Sequence, residues 1–408
     1  MFDLVIKNAR INDGETLKTI GIKEGRISQI TENSIEEAKK TIDAKGNVVI
    51  PGFVEGHIHL DKALIAERKP NQSGTLQEAI EVTAELKPTF TKEDIEERAK
   101  KALEMLIVNG VTTVRTHAEF DPAQGFTGFE TIMKLKDEYR ELIDIQVVAF
   151  PQEGIFKAPG TEEMMHQAMI MGADVVGGIP YNDLPAEKHI DLIFEIAEKY
   201  NKPIDLHQDF SDEADALSIE YLCAKTIEKG YQGRVMVGHL TALHALPKLE
   251  LDNIVSKMAQ AEISVMALPA TDLHLGARKD AFNVRRAVTP IRKLRDGGVN
   301  MCLATNNIRN AFTPYGNGDI LQITMLAIPV GHLGGAADLP TVLPMITENP
   351  AKALGLTDYG IAVGKKADLV ILDTISKANA IIDLPTRLVV IKNGRVTVEN
   401  TKETIIHT

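Results

Sequence analysis

Val48-Val49-Ile50-Pro51-Gly52-Phe53-Val54-Glu55-Gly56-His57-Ile58-His59 runs from an apolar stretch into two histidines two residues apart. An apolar run of this length bounded by Pro and Gly reads as a buried strand. Strand side chains alternate, so His57 and His59 point to one side at the strand's C-terminal end. Two neutral imidazoles on one face make half of a metal site, and zinc or iron suits them. Taken alone, such a pair is more often a solvated or core pair of histidines than a pair of ligands. The rest of the chain decides between these readings.

Downstream, strand-like and helix-like segments alternate. The strand-like runs after the first are Val111–His117, Ile145–Phe150, Asp174–Ile179, Pro203–His207, Val235–His239, Ile263–Leu268 and Asn300–Ala304. Helix-like stretches separate them. One begins at Thr91 with Asp94 three residues on, a capping-box pattern, and continues with Ile95, Ala99, Ala102, Leu103, Leu106 and Ile107 on one face. Gly110, Gly172, Gly230 and Gly297-Gly298 mark helix ends. Eight such units predict an α/β fold, a (β/α)8 TIM barrel over residues 51–359, in preference to a doubly wound sheet. Both termini read instead as short strands and hairpins, with turns at Glu24-Gly25 and Asn393-Gly394. Neither end has enough core of its own. Residues 1–50 and 360–408 are therefore expected to share one small β-sandwich, an accessory domain beside the barrel.

Composition narrows the function. A formal net charge of -12 argues against nucleic acid or an anionic membrane as partner. No apolar run approaches the ~20 residues of a membrane helix, and no signal peptide is visible at Met1–Ile6. The two cysteines, Cys223 and Cys302, lie in apolar segments and read as reduced core residues, which predicts a cytoplasmic protein.

In a TIM barrel the chemistry collects at the C-terminal ends of the strands. Those ends carry His57, His59, His117, His207 and His239, five of the 11 histidines in the chain, with Gln152 after strand 3 and Asn306-Asn307 after strand 8. Chance placement does not explain so many histidines on one rim.

These residues carry a resemblance. HxH on strand 1, His on strands 5 and 6, and a polar residue at the acid position of strand 8 resemble the amidohydrolase superfamily. Pro51–Asp61, Asn71–Leu76, Val114–His117, Val147–Gly154 and Gly238–His244 are similar to its cytosine deaminase branch. Lys62 and Asn307–Asn310 before Pro314–Asp319 look like the N-isopropylammelide amidohydrolase side of that branch. The similarity runs from about residue 2 to 400. It implies hydrolytic deamination of a small nitrogen heterocycle by a metal-activated water, in a homo-oligomer. His57, His59 and His207 would hold one divalent ion, zinc or iron, with Asn306 in the fourth protein position. Strand 4 offers no lysine to carbamylate, so a second bridged ion is not expected. His239 would face the attacking water or the new oxygen. Gln152, Lys62 and Asn307 would contact the substrate, and Phe312 would cover its ring.

Two departures from the family pattern bear on catalysis. Asn306 stands where the family has the aspartate that takes the water's proton, and an amide is no base near neutral pH. Phe210 stands at the glutamate of the family's His-x-x-Glu word. Losing both carboxylates predicts weak turnover of cytosine. Asp209, two residues beyond His207, would replace the base if the strand continues, with Asp272 and Glu119 as fallbacks. A helix-capping Asp209 is the competing expectation. Two other functions stay open at this point. One is a catalytically impaired, ligand-binding homologue or inactivated variant, and the other is a cyclic amide hydrolase.

Overall fold

The computed structural model describes residues 1–35, 37–183 and 185–407. Eight parallel strands pair in chain order: Phe53–Ile58, Val111–Glu119, Asp144–Phe150, Val175–Gly178, Ile204–Gln208, Val235–His239, Ser264–Ala267 and Asn300–Leu303. The seam between the first and last is closed at Asn306. Its N–H donates to His57 O at 3.0 Å, and its carbonyl accepts from His59 N–H at 3.0 Å. The buried carboxylate of Glu55 adds to this seam by accepting from Thr305 N–H and Oγ1 and from His57 N–H. The result is the expected (β/α)8 barrel.

The helices form where the sequence places them. Thr91 accepts from Asp94 N–H at the start of helix Lys92–Val108. The Asp94 carboxylate, however, goes to Arg68 and Arg98 and not back to Thr91, so the capping box is half made. Ile95, Ala99, Ala102, Leu103 and Leu106 are buried on one face, as their spacing requires. Gly110, Gly172, Gly230 and Gly298 all have positive φ, the conformation that ends a helix at low cost in glycine.

The termini build two four-stranded sheets. One orders Arg26–Thr31, Lys18–Lys23, Phe2–Ala9 and Ala38–Asp43. The other orders Arg395–Glu399, Arg387–Lys392, Leu369–Leu372 and Val49–Pro51. Leu4, Ile6, Ile20, Ile22 and Ile27 of the first sheet pack against Val49, Leu369, Ile371 and Ile391 of the second. Each sheet thus supplies the apolar face that the other lacks, forming the sandwich. Glu24-Gly25 and Asn393-Gly394 both adopt positive φ at their hairpin turns.

Inside the barrel, alternation along each strand stacks polar layers. Arg115 and His117 on one strand, and Asp205 and His207 on another, are i, i+2 pairs buried in the interior. Arg115 pairs with Asp205 at 3.0 Å and with Gln146, and His117 Nε2 lies 3.3 Å from the other Asp205 oxygen. This buried network supports the histidine layer from below.

Candidate active site

Five imidazoles meet at the C-terminal mouth of the barrel. The His57 ring centroid lies 4.1 Å from that of His117, 4.6 Å from His207, 5.7 Å from His59 and 5.9 Å from His239. His59 Nε2 and His207 Nε2 are 3.1 Å apart. Two ligand atoms on a tetrahedral zinc with bonds of ~2.0–2.1 Å would stand ~3.4 Å apart. Donor atoms of His57, His207 and His239 cluster within 4.8 Å, as do those of His57, His59 and His117. Room for the His57 ring comes from Gly238, since a Cβ there would lie 2.8 Å from His57 Cε1.

The donor set fits a divalent ion. Both ring nitrogens of His57, Nδ1 of His59 and His207, and Oδ1 of Asn306 are buried without a hydrogen-bond partner. Buried polar atoms are ordinarily paired, so an unpaired group of this kind calls for a ligand. Burial pushes the pKa of His57, His59 and His207 well below the ordinary histidine range, and the Lys62 cation adds to this for His57 and His59. The rings are therefore neutral at pH 7, the form that binds metal. A third cluster, His59, Asp61 and Glu119, is different, because its charge is already answered by lysines. Glu119 pairs with Lys62 and, at 2.8 Å, with Lys87. Against the opposing effect of burial, these two cations hold its carboxyl well below the usual range. Glu119 is consequently an ion-pair partner and not a free base.

Above the imidazoles lies a small cavity of about 20 Å³. Lys62, Gln152, His59, His207, His239, Asn306, Asn307 and Phe312 line it, so nearly every site residue expected from the sequence converges here. Leu76 and Ile80, from helix Leu76–Leu86, form part of the wall. Lys62 Nζ lies 2.9 Å from Gln152 Oε1 and 4.6 Å from the centre of the Phe312 ring.

His239 is held from two sides. Its Nδ1 is 2.8 Å from Asp272 Oδ1, and its ring stacks on Phe210 at 4.0 Å with an interplanar angle of 8°. Asp272 is fully buried, its second oxygen has no partner, and burial pushes its pKa up. The carboxylate aligns the imidazole and leaves Nε2 for chemistry. Positive φ at His239 (73°) and Asn306 (63°), both non-glycine, is backbone strain of a kind that gathers at functional sites.

Asp209 departs from the catalytic expectation. The strand ends at Gln208, and Asp209 turns to a φ of 44°. Its carboxylate accepts from Ser218 N–H, Ser218 Oγ, Ile219 N–H and Gln208 Nε2. It caps the helix Ile219–Glu228 and does not line the cavity. Three donors meet its Oδ1 and one its Oδ2, so the carboxylate is held in the turn and directed at the helix start. The acid in the pocket wall's support is Asp272, reached through His239, and Phe210 serves as the face on which that ring rests. His117, noted on the rim but given no role from sequence, is a member of the imidazole group. In the basic stretch after strand 7, Arg285 pairs with Asp280, and Arg286 meets His332 and carbonyls at the end of helix Ile320–Val330. Those contacts are structural.

Comparison with known proteins agrees with this geometry. The Amidohydrolase family model matches residues 40–398, so the chain belongs to that family and is a hydrolase. It is 35% identical over 407 residues to N-isopropylammelide isopropyl amidohydrolase of Pseudomonas sp. (strain ADP), covering 98% of each chain. It superposes on 5-methylcytosine deaminase from Klebsiella pneumoniae liganded with phosphonocytosine with a TM-score of 0.95, at 34% identity, covering 99% of this chain and 100% of that one. N-isopropylammelide isopropylaminohydrolase from Burkholderia multivorans gives a TM-score of 0.86 at 26% identity, covering 98% of this chain and 99% of that one.

Proposed function

We propose that this chain removes an amino or alkylamino group hydrolytically from a small nitrogen heterocycle, using one divalent ion, zinc or iron. The observation that carries this reading is a pocket with clustered, neutral imidazoles at its base, several of their ring nitrogens unpaired, and polar groups along its wall. His57, His59 and His207 would hold the ion, with the Asn306 amide oxygen as a further donor. When bound, such an ion supplies Lewis acidity and brings the pKa of a water toward ~7. His239, aligned by Asp272, takes the proton of the attacking water and passes it to the departing nitrogen. Asn306 has no part in that transfer, because its amide does not accept a proton near neutral pH. Phe312 and Ile80 bracket a flat ring, while Gln152, Lys62 and Asn307 meet its polar edge.

A cavity of about 20 Å³ holds about one water, so a ring substrate requires the pocket wall to open. Residues 51–359 carry this chemistry in our reading, with 1–50 and 360–408 as the accessory sandwich. Among the described residues, no helix is long and apolar enough to cross a membrane. The buried free thiols of Cys223 and Cys302 support a cytoplasmic setting. In our reading the chain self-associates, and sedimentation reads its oligomeric state directly.

The test is amine release from cytosine, 5-methylcytosine, ammelide and N-alkylammelides by protein loaded with zinc or iron. Release from at least one is expected. Metal-loaded protein that binds these rings without turnover would replace this reading with the ligand-binding one. Opening of a ring amide would replace it with the cyclic amide one.

A further inference from the structure

A buried acid away from the imidazoles grips the pocket wall from outside. The loop after strand Asp144–Phe150 carries Gln152, which lines the cavity. Beyond Gln152 this loop has little apolar anchoring. Phe156 and Lys157 are exposed, and Ile155 alone of the apolar side chains in 153–160 is buried. The backbone is held instead by Asp183, from the turn after the next strand, a residue with no exposed surface. Its carboxylate accepts from three consecutive N–H groups, Ile155 at 2.6 Å, Phe156 at 3.0 Å and Lys157 at 3.0 Å. Asn182, its neighbour, donates from Nδ2 to Gln152 O at 3.2 Å. Gly154 makes this close approach possible, with a φ of 89° and a site where a Cβ would lie 2.8 Å from Asp183 Oδ1. The carboxylate is itself oriented by His189. Nδ1 of that ring lies 2.8 Å from Asp183 Oδ2, and Nε2 accepts from Ile179 N–H at 3.0 Å. A backbone N–H only donates, so the tautomer is fixed and Nδ1–H points at Asp183. Against burial, the ring and the three N–H groups bring the Asp183 carboxyl down to about 2.

We propose that Asp183, oriented by His189, is a positioning residue for substrate binding: it fixes the loop that presents Gln152 and touches neither the substrate nor the imidazole group. The substrate is that of the heterocycle-hydrolase reading, on which this role rests. A carboxylate suits the task because it meets three N–H groups that no apolar side chain could satisfy, and an unpaired buried N–H is costly. Loosening it lets Gln152 drift from the ring it contacts, and a small misplacement of a positioning group weakens binding many-fold. The proton transfer at His239 is held separately, by Asp272 and Phe210. Loss of the Asp183 grip therefore falls on KM and spares kcat.

The test is a double-mutant cycle between Asp183→Asn and Gln152→Ala on metal-loaded protein, with amine release from cytosine, 5-methylcytosine and ammelide as the assay. Asp183→Asn keeps the shape and sets an NH2 against backbone N–H groups. It is expected to raise KM about 10-fold, the scale of one lost buried hydrogen bond, with kcat changed less than ~3-fold. In the Gln152→Ala background the same substitution is expected to change KM less than ~2-fold. Hydrogen exchange read on the same proteins, without any ligand, should rise at Ile155, Phe156 and Lys157 and stay constant in the barrel strands. Gly154→Ala, which presses a methyl group on the same carboxylate, should give the same pattern, and it serves if Asp183→Asn does not fold. Equal KM effects in both backgrounds would mean a purely structural Asp183 and overturn the proposal. Unchanged exchange at the three amides, or a fall in kcat at constant KM, would overturn it as well. Parent protein that binds these rings by calorimetry without releasing amine would refute the enzymatic reading alone, the cycle then being read in Kd. Parent protein that neither binds nor converts any of them would overturn both.

Discussion

Replacing Asp272 by Asn tests the proton pathway most sharply. The Asp272 carboxylate sits 2.8 Å from His239 Nδ1, and both residues are buried. A carboxylate only accepts, so it holds the proton on Nδ1 and leaves Nε2 as the acceptor facing the pocket. An asparagine turned with its NH2 toward Nδ1 would force the opposite tautomer and block Nε2. Positioned general acid–base groups contribute ~10²–10⁴-fold, so Asp272→Asn is expected to lower kcat by that factor. This corresponds to about 3–5 kcal/mol of barrier. The fold should tolerate the change. Burial already raises the Asp272 pKa and its second oxygen is unpaired, so removing the charge relieves a cost that offsets the weakened hydrogen bond. The stack on Phe210 keeps the ring in place. The assay is kcat for amine release at saturating metal, with metal content and thermal melting measured on the same sample. A loss smaller than ~3-fold with metal retained would refute the reasoning, because the smallest effect of a working acid–base pair is far larger.

Three further outcomes follow from the same geometry. Asn306→Asp should raise turnover of at least one heterocycle, by up to ~10²–10⁴-fold, since it adds a base beside the imidazoles. Asp tolerates the positive φ found there, and an unchanged rate across the substrate panel would count against the assigned position. His57→Ala and His207→Ala should each reduce bound metal well below one equivalent by elemental analysis, and full retention in both would dismiss the ligand assignment. Because burial lowers the pKa of His57, His59 and His207, the folded site stays unprotonated as pH falls through the ordinary value of 6.5. Metal affinity by chelator competition should thus change by less than ~10-fold between pH 7.5 and 5.5, whereas three imidazoles of ordinary pKa would lose ~10³-fold.

The barrel and sandwich were legible because their signals are local. Each barrel strand is an apolar run ending near a polar residue, and the preceding helix is often closed by a glycine that takes positive φ. Glu24-Gly25 and Asn393-Gly394 each specify a hairpin within a few residues. The histidines were legible for the same reason, since alternation along one strand decides which side a ring faces. Asp209 was not, because its role depends on where the strand stops and on Ser218 and Ile219, which lie in the next helix. Glu119 was equally opaque, its charge being claimed by Lys62 and by Lys87 from a separate turn. The His239–Asp272 pair joins the end of one strand to the helix Pro269–Leu275 that follows the next. The grip of Asp183 on the backbone of residues 155–157 joins the loops after two neighbouring strands, which no spacing rule reveals.

The central claim is that a divalent ion held by the barrel histidines is required for hydrolysis of a heterocyclic amine. Its most direct test is a titration of chelator-stripped protein with zinc or iron, following amine release from ammelide and cytosine against bound metal. The account predicts activity on at least one of them that rises in proportion to metal and levels off near one equivalent. Full activity in the stripped protein, or a saturated site that releases no amine from either ring, would contradict it.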